Sequence, residues 1–232
     1  MARTPQNNEA FFREVDDEVR REQFATAARR YGVILAVVVI VALIALGGTL
    51  WWRGHQAAVA GERGDQLIAA MASISTGSEA DANKGLQALA GTGDKAYAPL
   101  ARMLQADVLV KDGKLPQASA AFAAVAGDAG VPQQLRDVAL LRATALDFDK
   151  TAPQTVIARL KPLAVPGNPW FGSAGEMTGI AYMKLNQPKQ AGAVFVAMTK
   201  DPTVPQSLRS RVAQLAADLG FEPVQPSDSP AS

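Results

Sequence analysis

The chain has 232 residues, enough for one or two domains, and 48% of them are hydrophobic but only 6% aromatic. Its formal net charge is +1, so the basic surface typical of a nucleic-acid-binding protein is absent, and no nucleic-acid partner is predicted. The absence of cysteine excludes disulfide bonds, thiol catalysis and cysteine metal sites. Abundant alanine with few aromatic residues favours an all-α fold over a sheet-rich one.

Residues 1–32 are predicted to form a helical segment, because apolar residues recur there at helical spacing. With six arginines against six acidic residues, the segment is less basic than the helices that lie on membrane surfaces. Two interpretations stay open. One is a solvated helix that continues into the following segment, and the other is a short partner-binding helix anchored by Phe11, Phe12 and Phe24.

Residues 33–52, VILAVVVIVALIALGGTLWW, form a run of twenty residues without a charge. A helix of that length spans roughly 30 Å, the thickness of the hydrocarbon core of a bilayer. The core helices of soluble proteins rarely run this long without a polar residue. The sequence therefore predicts a transmembrane helix in contact with the lipid bilayer. Five residues are predicted to lie at its two membrane interfaces: Arg29, Arg30, Tyr31, Trp51 and Trp52.

This apolar segment is predicted to be an uncleaved signal-anchor. A cleaved signal peptide is the alternative, because the Ala-Val-Ala at 58–60 resembles a cleavage site and the arginine pair at 29–30 hints at twin-arginine export. However, the segment exceeds the usual apolar core of about 7–15 residues. Four arginines lie within fifteen residues before the span and only two as near after it, so the positive-inside rule places the N-terminus in the cytoplasm. The C-terminal part is then expected in the periplasm of a diderm bacterium.

A phrase of sequence occurs twice in the C-terminal part. VPQQLRDVALL begins at Val131 and VPQSLRSRVAQ begins at Val204, an offset of 73 residues. The same offset pairs Phe122 with Phe195, together with several small and apolar residues around them, which indicates an internal repeat. Within each copy, apolar residues at helical spacing, a short turn and an Ala-x-x-x-Phe pattern predict two antiparallel helices.

The two copies resemble tetratricopeptide repeats, the helix-turn-helix units of about 34 residues. The first copy reads Ala106…Leu109…Gly113…Ala118…Phe122…Val125. The second reads Gly179…Tyr182…Ala191…Phe195…Met198, with Asn186 where a turn glycine is usual. Helices are expected at 62–75, 80–91, 94–112, 115–127, 132–148, 152–161, 169–186, 188–200 and 204–219. These make four hairpins and a capping helix, which should stack as a short solenoid over residues 55–220, followed by a disordered tail at 221–232.

The sequence predicts no enzyme, cofactor or metal site, because its only histidine, His55, leaves no triad or histidine cluster to build. Tetratricopeptide domains bind proteins in a groove lined by the first helix of each hairpin, and six residues are candidates for that lining. They are Met103, Asp107, Lys111, Glu176, Ile180 and Lys184. The alternative is that these residues contact neighbouring hairpins or solvent. Trp170 and Phe171 are likewise either partner anchors or core residues.

The layout as a whole resembles the ancillary SecYEG translocon subunit family, also called YfgM-like. The shared features are a short charged segment, one signal-anchor and an external tetratricopeptide-like domain, with FFREVDDEVRRE at 11–22 and NPW at 168–170. The resemblance implies a single-pass inner-membrane scaffold associated with the Sec translocon and periplasmic chaperones. Two rivals are an envelope adaptor for cell division and wall synthesis, and a self-assembling structural membrane protein. The sequence leaves a homo-oligomer open.

Overall fold

The computed structural model describes the backbone of residues 6–221 and the side chains of residue 30 and of residues 32–221. Every regular element in these residues is an α-helix, which confirms the predicted all-α fold class. The helices are α1 (Gln6–Ser75), α2 (Glu79–Ala90), α3 (Tyr97–Lys111), α4 (Leu115–Ala126), α5 (Gln133–Asp147), α6 (Pro153–Leu160), α7 (Phe171–Lys184), α8 (Pro188–Lys200) and α9 (Gln206–Asp218). The chain divides between Glu62 and Arg63 into an N-terminal and a C-terminal unit.

Among the residues that the structure describes, one stretch of helix, Gly32–Ser75, is long and apolar enough to cross a membrane, and its most apolar part, residues 33–52, lies in the N-terminal unit. The large apolar side chains of residues 33–52 are all exposed, with Val33 71% and Trp51 69% exposed. An exposed apolar band of this length is typical of a helix surrounded by lipid. This part of α1 is therefore a candidate membrane span.

Helix α1 runs without a break through residues 53–61, which lie between the predicted transmembrane helix and the next predicted helix. Three alanines in this stretch, Ala57, Ala58 and Ala60, favour the helical conformation, and no proline interrupts it. Two glycines, Gly54 and Gly61, weaken the helical signal in the sequence but do not end the helix.

The C-terminal unit is a series of stacked helical hairpins. Helices that follow one another in the chain pack together, and the first helices of successive hairpins also touch, α3 with α5 and α5 with α7. A helix that contacts only its neighbours along the series is the arrangement of a solenoid. The end of α1 belongs to this stack, because its Ala70 lies in one apolar cluster with Leu86, Leu89 and Ala101 of α2 and α3.

The repeated phrase builds the same turn in both copies. Val131 and Val204 are buried, and the next residues, Pro132 and Pro205, adopt extended backbone conformations directly before α5 and α9. Proline fixes φ at about −65°, which suits the extended backbone of the residue directly before a helix. In both copies the buried valine therefore anchors the turn in the core, and the proline lies directly before the helix that follows.

The second copy has Asn186 where the first has Gly113, and both residues have positive φ angles, 55° and 73°. Asparagine is among the few residues with a side chain that adopt this left-handed conformation readily. The hairpin turn is therefore preserved although the glycine of the repeat pattern is not.

Helices α7 and α8 approach each other closely because glycine lies at their contact. A Cβ atom at Gly179 would lie 2.6 Å from Cζ of Phe195, and a Cβ atom at Gly175 would lie 2.8 Å from Sδ of Met198. Phe195 and Met198 are fully buried. In the first copy Ala106 occupies the position of Gly179, so that hairpin accommodates one more carbon against its own phenylalanine, Phe122.

Candidate protein-binding surface

The six predicted groove residues lie on the first helices of two hairpins, three on α3 and three on α7. Met103 is 7% exposed and belongs to the same core cluster as Phe122, so its side chain is inside the hairpin stack. Ile180 is half-buried against the cluster that contains Phe195. The other four residues are charged and lie at the surface.

All four of these charged residues form ion pairs, three with a residue of another helix and one with a residue in the turn after α5. Arg142 Nη1 of α5 donates to Asp107 Oδ2 at 2.8 Å, and Arg211 Nη2 of α9 lies 2.7 Å from Glu176 Oε1. Lys184 Nζ donates to Asp149 Oδ1 at 2.8 Å, and Lys111 Nζ donates to Glu79 Oε1 at 3.2 Å. We call the surface formed by these four pairs the A face: Glu79, Asp107, Lys111, Arg142, Asp149, Glu176, Lys184 and Arg211.

Three of the four pairs join residues that are 35 positions apart in the sequence. The first helices of adjacent hairpins are about one repeat apart, so each pair joins one hairpin to the next. The partners at this spacing, Arg142, Asp149 and Arg211, were not predicted from the sequence. Opposite charges recurring at one repeat length are the signal that points to them.

Two cations of the A face also lie over aromatic rings. The guanidinium of Arg142 is 4.6 Å from the ring centre of Phe122, and the ammonium of Lys184 is 4.4 Å from that of Phe148. Contacts of this kind attract a cation to the face of the ring. Each of these two cations therefore has two contacts, one with a carboxylate and one with an aromatic ring.

An apolar side chain interrupts the charges on α7. Met183 is 37% exposed, next to Lys184 and one turn beyond Ile180. Methionine side chains are flexible and polarizable, so they adapt to differently shaped partners. The A face thus combines charged groups with a small adaptable apolar area, a composition suited to contact with another protein.

Trp170 and Phe171 both pack inside the C-terminal unit. Phe171 is 1% exposed, and Trp170 is partly buried against the cluster of Val156 and Leu160. The core interpretation of these two residues therefore agrees with their positions.

Of the predicted membrane-interface residues, Trp51, Trp52 and Arg30 are exposed. The ring of Trp51 stacks on His55, with centroids 5.8 Å apart. The side chains of Arg29 and Tyr31 lie outside the described residues, as do most of the 1–32 segment's side chains and the predicted tail from residue 222.

The turns before α3, α5 and α9 each hold an aspartate that accepts backbone hydrogen bonds. The Tyr97 and Ala96 N–H groups lower the pKa of Asp94, with Arg63 adding to the effect. The Gly130 N–H and the Arg102 guanidinium lower the pKa of Asp128. For Asp201, hydrogen bonds from the Thr203 hydroxyl and from the Gly167 N–H lower the pKa. These carboxylates are ionised structural acceptors.

Among the residues with described side chains, no group of three or more histidine, cysteine or acidic residues could hold a metal ion.

The chain is therefore a helical-repeat protein, because its C-terminal unit consists of stacked helical hairpins. It also carries a candidate membrane span. Residues 28–217 match the tetratricopeptide repeat-like domain family, and the chain belongs to that family. Domains of this kind typically serve as protein-interaction modules and not as enzymes. No curated protein and no solved structure matches the chain.

Proposed function

We propose that the protein is a single-pass scaffold of the bacterial inner membrane that holds protein partners beside the Sec translocon. The observation that carries the proposal is the presence, in one chain, of a candidate membrane span and a tetratricopeptide-like domain. The arginine bias around the span supports a cytoplasmic N-terminus and a periplasmic repeat domain. The partners proposed from the family resemblance are translocon subunits and periplasmic chaperones.

The mechanism we propose is proximity. A domain tethered by one helix is confined near the membrane, so a partner bound to it is kept at a high effective concentration there. No covalent step is needed, and the protein acts without a cofactor. Cutting the tether should therefore abolish the function and leave the repeat domain folded.

The A face is the surface we propose for partner contact. The side chains of its ion pairs are between 21% and 91% exposed, with Arg142 and Asp107 at 43% and 30%. Pairs of this kind contribute only about 0–1 kcal/mol, so a partner can exchange them for its own charges at little cost. Ile180 and Met183 would supply the apolar contact between the charged groups.

Topology is tested by single cysteines, which the cysteine-free chain allows without background labelling. Ser210→Cys on α9 is exposed and should react in intact spheroplasts with a membrane-impermeant maleimide, whereas Asn7→Cys should react only after the membrane is broken. The reverse pattern would refute the proposed orientation.

Partners are tested by cross-linking the full-length protein in its native membranes and identifying the attached proteins by mass spectrometry. We expect translocon subunits and periplasmic chaperones. Cross-links only to division proteins, or only to a second copy of this chain, would overturn the proposed role and favour one of the two rival functions.

A further inference from the structure

A cleft lies between the turn that precedes α3 and the turn that precedes α5. Its volume is about 340 Å³. We call it the inter-turn cleft and describe it by six of its lining residues: Asp94, Lys95, Pro99, Arg102, Asp128 and Gly130. None of these residues belongs to the A face.

Both carboxylates of the cleft are already engaged. Asp94 Oδ1 accepts hydrogen bonds from the N–H groups of Ala96 and Tyr97 at 2.8 and 2.7 Å, and its Oδ2 pairs with Arg63 at 2.5 Å. Asp128 Oδ1 accepts the Gly130 N–H, and its Oδ2 accepts Arg102 Nη2, each at 2.9 Å. The acceptors of the cleft therefore need no further donor.

Donors, in contrast, remain free. Arg102 uses Nη2 alone among its five N–H groups, and its Nε–H finds no partner within the described side chains. Lys95 is exposed and makes no ion pair with any residue of the described part of the chain. Because Asp94 is paired with Arg63 and Asp128 with Arg102, the charge of Lys95 is left over, and the cleft is complementary to an added negative charge.

The second copy of the repeat shows that this cleft is not a general feature of the fold. At the 73-residue offset, Gly167 replaces Asp94 and Gly175 replaces Arg102. There the Gly167 N–H donates directly to Asp201 Oδ2 at 2.5 Å, so the two turns touch. In the first copy the long side chain of Arg102 makes the corresponding contact with Asp128, which leaves room between the turns.

The residues that line the cleft favour a ligand with both an apolar part and a charged part. Ala98, Pro99 and Val131 line it, and all three are buried in the hairpin stack. Apolar walls suit the methylene groups of a side chain, while Arg102 and Lys95 suit a terminal charge. A glutamate side chain has both parts, and a free phosphate has only the charge.

We propose that the inter-turn cleft binds a glutamate-containing acidic segment of a protein partner. This inference rests on the proposed function of the domain as a protein-binding scaffold. The partner's carboxylate accepts hydrogen bonds from the Arg102 guanidinium and the Lys95 ammonium, and its methylenes lie against Pro99 and Val131.

The test uses the full-length protein in nanodiscs of uncharged phosphatidylcholine, with a fluorescein-labelled hexaglutamate peptide as the probe. Binding is read by fluorescence anisotropy. Lys95→Ala should weaken binding about threefold to tenfold, because a charge-assisted hydrogen bond is lost, and Arg102→Gln should weaken it further. The matched control is Lys189→Ala, an exposed lysine at the start of α8 without an ion pair in the described residues, which should leave binding unchanged.

Circular dichroism checks that each variant is folded, which matters for Arg102→Gln because that change removes the bond to Asp128. Lys95 is exposed and unpaired, so its variant keeps the test valid in any case. Equal affinity of Lys95→Ala and Lys189→Ala would overturn the inference. Failure of hexaglutamate to bind would also overturn it, and so would binding of inorganic phosphate without binding of the peptide.

The outcomes separate this inference from the proposed function. If native-membrane cross-linking finds the expected partners but hexaglutamate does not bind, the inference about the cleft fails alone. If hexaglutamate binds through Lys95 and Arg102 but cross-linking finds no partner protein, the scaffold role fails and the acid-binding cleft stands.

Discussion

Replacing Gly179 with alanine should destabilise the C-terminal unit. The new Cβ would lie 2.6 Å from Cζ of Phe195 and closer still to its Cε1, distances that real Cβ atoms do not show. Phe195 is fully buried and belongs to a cluster that includes Val204 and Val212, so its ring has no free space to move into. Helices α7 and α8 would have to separate.

Two opposing effects set the size of the change. Overpacking a filled core costs about 1–3 kcal/mol. Alanine in place of glycine stabilises a helix by about 0.5–1 kcal/mol. The clash is with a rigid ring, so it should outweigh the helical gain, and we expect a net loss of roughly 1–2 kcal/mol, or a melting temperature lower by about 3–6 °C.

Gly85→Ala is the matched control. Gly85 lies inside α2, and a Cβ atom there would meet Ala70 Cβ at 3.6 Å, an ordinary contact. This variant should gain about 0.5–1 kcal/mol from the helical preference alone. A second control adds Gly179→Ala to a chain that already carries Phe195→Leu. There the alanine should cost less unfolding free energy than it does in the wild type, because the two sites are in contact.

The assay is urea denaturation of the full-length protein in detergent micelles, followed by circular dichroism at 222 nm. Opposite signs for Gly179→Ala and Gly85→Ala are expected. If Gly179→Ala is as stable as the wild type, or if both variants are stabilised alike, the close approach of α7 and α8 is not a constraint and the reasoning is wrong.

Three further predictions concern the core, the A face and the turns. Phe122→Ala should cost about 3–5 kcal/mol of unfolding free energy, because the fully buried ring leaves a cavity; urea denaturation measures it. A double-mutant cycle of Asp107→Ala and Arg142→Ala should give a coupling of only about 0.2–1 kcal/mol, reduced further in 0.5 M salt, and a coupling several times larger would contradict a half-exposed pair. The folded pKa of Asp201 lies below its ordinary value of 3.8, so below about pH 5 the unfolded chain takes up the proton first. The stability that this carboxylate contributes is thus full above that range and is lost as the pH falls through the folded pKa. Asp201→Asn should therefore flatten the decline of the urea midpoint between pH 5 and 3. An unchanged decline would show that Asp201 does not cause it.

Helix positions could be predicted from the sequence because periodicity and turn residues are local signals. Helices α2 to α9 begin and end within three residues of the expected bounds. The largest difference is the start of α3 at Tyr97 instead of residue 94, because the Asp94 side chain accepts the N–H groups of Ala96 and Tyr97 and delays the first helical turn. A side-chain hydrogen bond of this kind is not visible in apolar spacing.

The surroundings of the candidate site could not be predicted in the same way. The pattern on α3 and α7 identified Asp107 and Glu176 as outward-facing, but their partners Arg142 and Arg211 lie a full repeat away. Which residues meet across hairpins depends on the angle between neighbouring hairpins, and no local pattern encodes that angle. Met103 shows the same limit, because the position expected in the groove is covered by the core of its own hairpin.

The most direct test of the scaffold account is site-specific photo-cross-linking of the full-length protein in its native membranes. A photoreactive residue replaces Ser173, which is exposed three residues before Glu176 on α7, and the control replaces Ala193, which is exposed on α8. The account predicts adducts with translocon subunits or periplasmic chaperones from position 173 and few from position 193. Equal adducts from both positions, or adducts only with a second copy of this chain, would contradict it.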